Sequence, residues 1–241
     1  MKDKFNYYDF IANIIPGVVF FWIAGNFGFD LIETEQVIKE TIIFIVLAYV
    51  IGLIIQWFSK LIVQRIVMLL FWRNRMFSST CLLKGSRLIE ESQRINIIKN
   101  AANCLNIEEA DLKKLEKDFV FGFRRITKLF DSGYRRMLNE ASSVSSLVYF
   151  RADAFTKDKG IAEKAHLQNN YYSLFRGLSM VFLAALTYSI ASTIITSTSS
   201  TVSLLWQGFY AIAFLIFLIR TKERGEHYIK GLLFSVSSYS N

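Results

Sequence analysis

The sequence predicts an all-α integral membrane protein with four transmembrane helices in two hairpins and a helical cytoplasmic insert between them. Three observations carry that expectation. The 241 residues are 53% hydrophobic, with 22 Phe and a single Pro, a balance that favours helix over a loop-rich or disordered chain. Uncharged runs of bilayer length recur, whereas the ten-residue alternation of a barrel strand is scarce. Of the 28 Lys and Arg, 19 lie between Arg73 and Arg176, so positive charge gathers in one central segment.

The first hairpin, with a cytosolic extension of its second helix, is assigned to residues 1–72. Phe10 to Phe29 carry no charge and are fenced by Asp9 and Asp30; about 20 residues rising about 1.5 Å each match a bilayer core about 30 Å thick. A cleaved signal peptide is the competing reading, disfavoured because the apolar run is too long and no small-x-small cleavage site follows it. Inside the run, Pro16, Gly17, Gly25 and Gly28 predict a kink or close helix approach near Ile15-Pro16-Gly17. Tyr7 and Tyr8 suit an interfacial aromatic belt. Thr41 to Ser59 is the next uncharged run, and apolar residues continue to Trp72 with only Lys60 and Arg65 among them. As one helix this stretch would be about 48 Å long, about 18 Å more than the core requires. The excess is expected to project into the cytosol and bury its apolar face on the middle domain or on a neighbouring subunit.

Residues 73–172 are assigned to a basic cytoplasmic helical domain. Leu88, Ile95, Ile98, Ala102 and Leu105 place one helix over Ser86 to Leu105, and Asn106 with Glu109 predicts a capping box for the next. Leu112, Leu115, Phe119, Phe123, Ile126 and Phe130 mark a face of that second helix, which is predicted to end near Ser132-Gly133. A third helix is predicted from about Glu140 to Ser145 onward, with a break at Lys159-Gly160.

Residues 173–220 form the second hairpin. Gly177 to Ile219 contain no Asp, Glu, Lys, Arg or His and are closed by Arg176 and Arg220. That is roughly twice the length of one crossing. Ser and Thr crowd its middle, from Ser192 to Ser203, and predict the turn. Residues 221–241 are left as a cytoplasmic tail. The loop Asp30 to Glu40 is acidic apart from Lys39, and the turn Thr198 to Thr201 is uncharged. The positive-inside rule therefore puts both termini and the central segment in the cytoplasm.

Chemistry is sparse. Cys81 and Cys104 stand apart from any CxxC or His partner, which argues against zinc and disulfides and suits a reducing cytosol. No Gly-rich phosphate loop, Ser-His-Asp set or metal cluster is present, so no catalytic residue, metal or cofactor is assigned. Lys113, Lys114, Lys117, Arg124, Arg125, Lys128, Arg135 and Arg136 form the candidate basic surface, for membrane lipid, for a cytoplasmic partner, or for RNA as the alternative. The spans hold no ionisable side chain, unlike most ion-coupled transporters. Asn13, Asn26, Gln56 and Gln207, with Pro16 and Gly17, are the candidates for helix packing or for lining a pore built by several subunits.

Arg220 and His227, separated by six residues, resemble the Arg-x(4–6)-His motif of HEPN ribonucleases, in which an arginine and a histidine from two subunits act on RNA. Thr221 stands where that family usually has Asn, Asp or His. Arg220 is read instead as an interfacial anchor and His227 as a surface residue. The opening Phe5-Asn6-Tyr7-Tyr8-Asp9-Phe10, then Ile15-Pro16-Gly17, the basic insert, and the closing hairpin after Ser173-Leu174-Phe175-Arg176-Gly177-Leu178 resemble small multispanning proteins of bacterial phage-defence loci. The layout is most similar to the membrane accessory proteins of type VI-B CRISPR systems. That resemblance implies a bacterial inner-membrane protein that, without catalysis, modulates a cytoplasmic effector nuclease or perturbs the membrane; the Gly-rich first span and the overlong second helix point to a homo-oligomer. An uncoupled channel or transporter, or a membrane-tethered HEPN-like ribonuclease, is the alternative.

Overall fold

The computed structural model describes residues 7–27, 37–71, 76–84, 86, 88–117, 119, 132–196 and 201–239. Eight α-helices fall among them: α1 (Tyr7–Asn26), α2 (Val37–Leu61), α3 (Val63–Leu70), α4 (Glu91–Leu105), α5 (Glu109–Leu112), α6 (Ser132–Asp158), α7 (Glu163–Thr196) and α8 (Thr201–Tyr239). Short 3₁₀ turns occupy Phe77–Ser79 and Lys113–Glu116. No strand occurs among the described residues. Three helical stretches, Thr41–Leu70, Glu163–Thr196 and Thr201–Tyr239, are long and apolar enough to cross a membrane. The apolar part of α1, Phe10–Asn26, is shorter. The chain divides into two compact units, one of Met1–Phe71 with Asn169–Arg224, the other of Trp72–Gln168 with Gly225–Asn241.

The first unit is inverted in polarity. Its surface carries Ile42, Val46, Trp57, Leu205 and Ile212, all exposed, while Gln56, Ser59, Arg176 and Ser179 are buried. Lipid tails are as apolar as leucine, so such a bundle is held by close packing and interhelical hydrogen bonds. Packing is closest between α1 and α2. A methyl at Gly17 would overlap the carbonyl of Ala48, and one at Gly52 would overlap the carbonyl of Asn13. Only glycine lets the two backbones meet there. The core joins four helices through Ile23 of α1, Ile55 of α2, Val181, Phe182 and Ala185 of α7, and Tyr210 and Ala213 of α8. Phe182 stacks on Phe217 at 5.4 Å and meets Phe209 edge-on at 6.1 Å.

Between α2 and α3 the helix barely breaks. Ile62 (φ −102°, ψ −65°) is displaced from ideal geometry, yet its N–H donates to Phe58 O at 2.9 Å and Ile66 N–H donates to Ile62 O at 3.0 Å. α3 belongs to the first unit and buries Val63 and Val67, leaving Leu69 and Leu70 exposed.

The second unit has the polarity of a water-soluble domain. Leu82, Leu83, Leu115, Leu138, Val148, Ile229 and Leu232 are fully buried. Arg151 caps the C-terminus of α4, its Nη1 donating to Leu105 O at 3.0 Å and Asn106 O at 2.6 Å, a cation placed where the helix dipole is negative. Asn100 Nδ2 donates to Ser237 O at 3.0 Å. Residues 225–239 are therefore the end of helix α8 and part of a folded unit.

Several boundaries differ from the sequence reading. Asn106 does not cap α5 at its start: it has φ 55° and ends α4, while Glu108 precedes α5 without a side-chain cap. α4 begins at Glu91, after Ser86. As far as Lys117 the predicted second helix is a four-residue α5 followed by a 3₁₀ turn that gives way to extended backbone. Phe123, Ile126 and Phe130 lie outside the described residues. α6 begins at Ser132, well ahead of Glu140, because Tyr134, Leu138, Ala141 and Ser145 already supply its buried face. Gly160, with φ 64°, separates α6 from α7.

Candidate functional site

The centre of the first unit is a polar lock that follows from one proline. Pro16 has no N–H, so the carbonyl four residues earlier, on Ala12, has lost its helical donor. A buried carbonyl in that state is costly unless another group reaches it. Gln56, on α2, reaches it: Nε2 donates to Ala12 O at 3.1 Å and to Ser173 O of α7 at 2.8 Å. One amide thus ties three helices. The approach of α7 is permitted by Gly177, where a methyl would crowd Gln56 Nε2 and the Pro16 ring.

The amide oxygen of Gln56 completes the arrangement. Arg176, only 5% exposed, donates from Nη2 to Gln56 Oε1 at 3.1 Å and from Nε to Ser59 Oγ at 3.0 Å. Ser59 in turn donates to Gln56 O at 2.8 Å. The guanidinium carbon lies 5.1 Å from the centre of the Tyr172 ring, within cation–π range. Among the described residues no carboxylate pairs with Arg176, so its charge is met by dipoles and an aromatic face. The sequence reading placed Arg176 at the edge of an apolar run; its burial, and its partners Ser59 and Tyr172, went unforeseen.

A second feature lies where α1 and α7 end and α8 begins. A cavity of about 480 Å³ is lined by the uncharged polar residues Asn26, Ser189, Ser192, Thr193, Thr196 and Ser203. Phe27, Trp206 and Tyr210 complete its wall. Of the Ser and Thr crowd that predicts the turn, Ser192, Thr193, Thr196 and Ser203 are helical, since α7 runs to Thr196 and α8 starts at Thr201; residues 198–200 of the predicted turn lie outside the described residues. Gln207 Nε2 donates to Thr193 Oγ1 at 2.9 Å, and Thr193 Oγ1 and Ser203 Oγ lie 3.1 Å apart.

The structure places the remaining sequence candidates as follows. Asn13 offers its carbonyl to the face of Gly52, Gly17 meets Ala48, and Asn26 and the Gln207–Thr193 pair belong to the cavity end. Lys113 and Lys117 are exposed near Leu115, whereas Lys114 is bound to Asp111, whose hydrogen bond and charge raise the lysine above its ordinary value. Arg135 and Arg136 are exposed on α6, with Arg136 Nε 3.1 Å from Glu140. Arg124, Arg125 and Lys128 lie outside the described residues. Arg220 pairs with Glu223 at 2.9 Å and His227 is exposed. Among the described residues no cluster of His, Cys, Asp or Glu is arranged to hold a metal ion. Cys81 is buried in the second unit, 3.7 Å from Ser145 Oγ, and burial pushes its thiol up to about 11.

No family model, curated protein or solved structure matches the chain.

Proposed function

We propose that the chain is a four-span inner-membrane protein acting without catalysis, as an accessory or effector of antiviral defence that works through a cytoplasmic nuclease or through its own assembly in the bilayer. The observation that carries membrane residence is the inverted polarity of the first unit, with leucine, isoleucine and tryptophan outside and an arginine–glutamine–serine lock inside. The defence reading is supported by the residue layout that resembles type VI-B accessory proteins. The proposed topology has both termini and the second unit in the cytoplasm, supported by the charge distribution. There Lys113, Lys117 and Arg135 would meet anionic headgroups, each worth about 1 kcal/mol near the surface.

The reading is tested by expressing the chain beside an RNA-targeting VI-B nuclease with a matched phage target. Phage protection should change at least ten-fold when the chain is removed, and a Gln56→Leu variant that no longer accumulates in the membrane should behave like the deletion. Equal protection with and without a correctly inserted chain would contradict the defence reading while leaving membrane residence intact.

A further inference from the structure

The geometry points to the cavity at the Thr196–Thr201 end of the first unit as a binding site for an uncharged polyhydroxylic ligand of sugar size. Its volume, about 480 Å³, lies within the range of small-molecule pockets. Among the described residues the lining holds no formal charge, so these side chains offer an entering ion no counter-charge against its desolvation. What the wall offers instead is hydrogen-bonding capacity left open. Ser189 and Tyr210 are 7% and 1% exposed as residues, but their hydroxyls are not among the buried unpaired atoms: they line the cavity and make no side-chain hydrogen bond among the described residues. Ser192, also in the wall, has none for its side chain, and nor has the amide of Asn26. Hydroxyls and an amide both donate and accept, which matches a ligand whose own groups are hydroxyls.

The aromatic side of the cavity supplies the second half of the recognition. Trp206 stacks on Tyr210 with ring centres 5.8 Å apart and planes inclined by 28°, so one indole face is taken and the residue remains exposed on the other. A sugar ring presents a face of C–H groups that packs on such a surface while its rim of hydroxyls exchanges hydrogen bonds with the wall. Thr193 is a positioning residue here, because it is saturated by Ser189, Gln207 and Ser203 and holds the wall in register. The ligand's source is either a free sugar or the headgroup of a glycolipid; the recognised chemistry is shared.

The inference rests on the first unit folding in a bilayer and is independent of the defence reading. The full chain in phosphatidylglycerol nanodiscs is titrated with methyl glycosides of glucose, mannose and galactose, and with glucosamine and gluconate as charged probes of the same size, by equilibrium dialysis. At least one neutral glycoside should bind ten-fold or more tighter than either charged probe, and Trp206→Leu should weaken it ten-fold or more. Ser189→Ala, a smaller change suited to preserving the fold, should weaken it three-fold or more with unchanged helicity. An octyl glycoside of the preferred sugar binding far tighter than its methyl glycoside would assign a lipid source, and equal binding a free one. Tighter binding of glucosamine or gluconate, no neutral binding at 10 mM, or binding indifferent to both substitutions would overturn the site.

Discussion

Among the described residues each unit buries one arginine, and the two are neutralised in opposite ways. Arg94 of the second unit, 3% exposed, holds Glu91 through Nε at 2.9 Å and Nη2 at 2.6 Å, and spends Nη1 on the carbonyls of Leu82 and Leu115. Glu91 itself is half exposed, so water shares its charge. Arg176 of the first unit has an amide oxygen, a hydroxyl and a tyrosine face. The difference teaches where the solvent is. Beside water a carboxylate is an inexpensive partner, whereas a second charge drawn into lipid carries its own desolvation cost of several kcal/mol. Neutral dipoles fixed on neighbouring helices avoid it.

The comparison breaks first at Gln56. Gln56→Leu leaves Arg176 without its amide acceptor and Ala12 O without its donor, and should destabilise the first unit by roughly 3–5 kcal/mol. Arg176→Met removes the charge along with the bonds and should cost less, roughly 1–3 kcal/mol. Steric-trapping unfolding in bilayer discs would rank them; the reverse order would mean the guanidinium is not the group that needs neutralising. In the second unit the order inverts. Arg94→Met abandons two buried carbonyls and should cost roughly 1–3 kcal/mol, while Glu91→Gln, at a half-exposed site, should stay within about 1 kcal/mol.

A smaller effect tests the proline. Pro16→Ala returns an N–H to Ala12 O, so Gln56→Leu should be milder in that background by about 0.5–1.5 kcal/mol in a double-mutant cycle. Strict additivity would show that Gln56 is not serving the proline's orphaned carbonyl. A further effect is a pH response in the second unit. The Cys81 thiol is neutral in the fold and pushed from 9.0 up to about 11. Its contribution to stability is complete below pH 9 and is lost as pH rises through about 11, because the unfolded chain ionises first. Cys81→Ala should flatten that decline in alkaline melts, and an unchanged slope would assign it elsewhere.

Much of the fold was legible because lipid demands long runs without charge, and such runs survive any uncertainty about packing. Gly177 to Ile219 announces α7 and α8 on that ground alone. Boundaries in the second unit were harder. The buried face of α6 is built partly of Ala141, Ser142 and Ser145, whose weak hydrophobicity hid the stripe behind Arg135, Arg136 and Glu140. Asn106 is suited to either end of a helix, to a cap at the start or to the left-handed residue at the close, and the sequence does not say which. The polar lock was half visible, since Pro16 and Gln56 stand out in apolar runs. Arg176 joins Ser59 and Gln56 from 117 and 120 residues away in sequence, a distance no local pattern spans. Seen as a string, Arg176 is only the fence of a hydrophobic stretch.

The proposed topology threads four apolar helices through a bilayer and puts the second unit on the cytoplasmic face. Single cysteines placed at Lys113 and at Thr201, in a chain carrying Cys81→Ala and Cys104→Ala, can be labelled in intact cells with a membrane-impermeant maleimide. The account predicts labelling at position 201 in intact cells and at position 113 only after the cells are opened. Labelling at position 113 from outside, with position 201 protected until lysis, would contradict it.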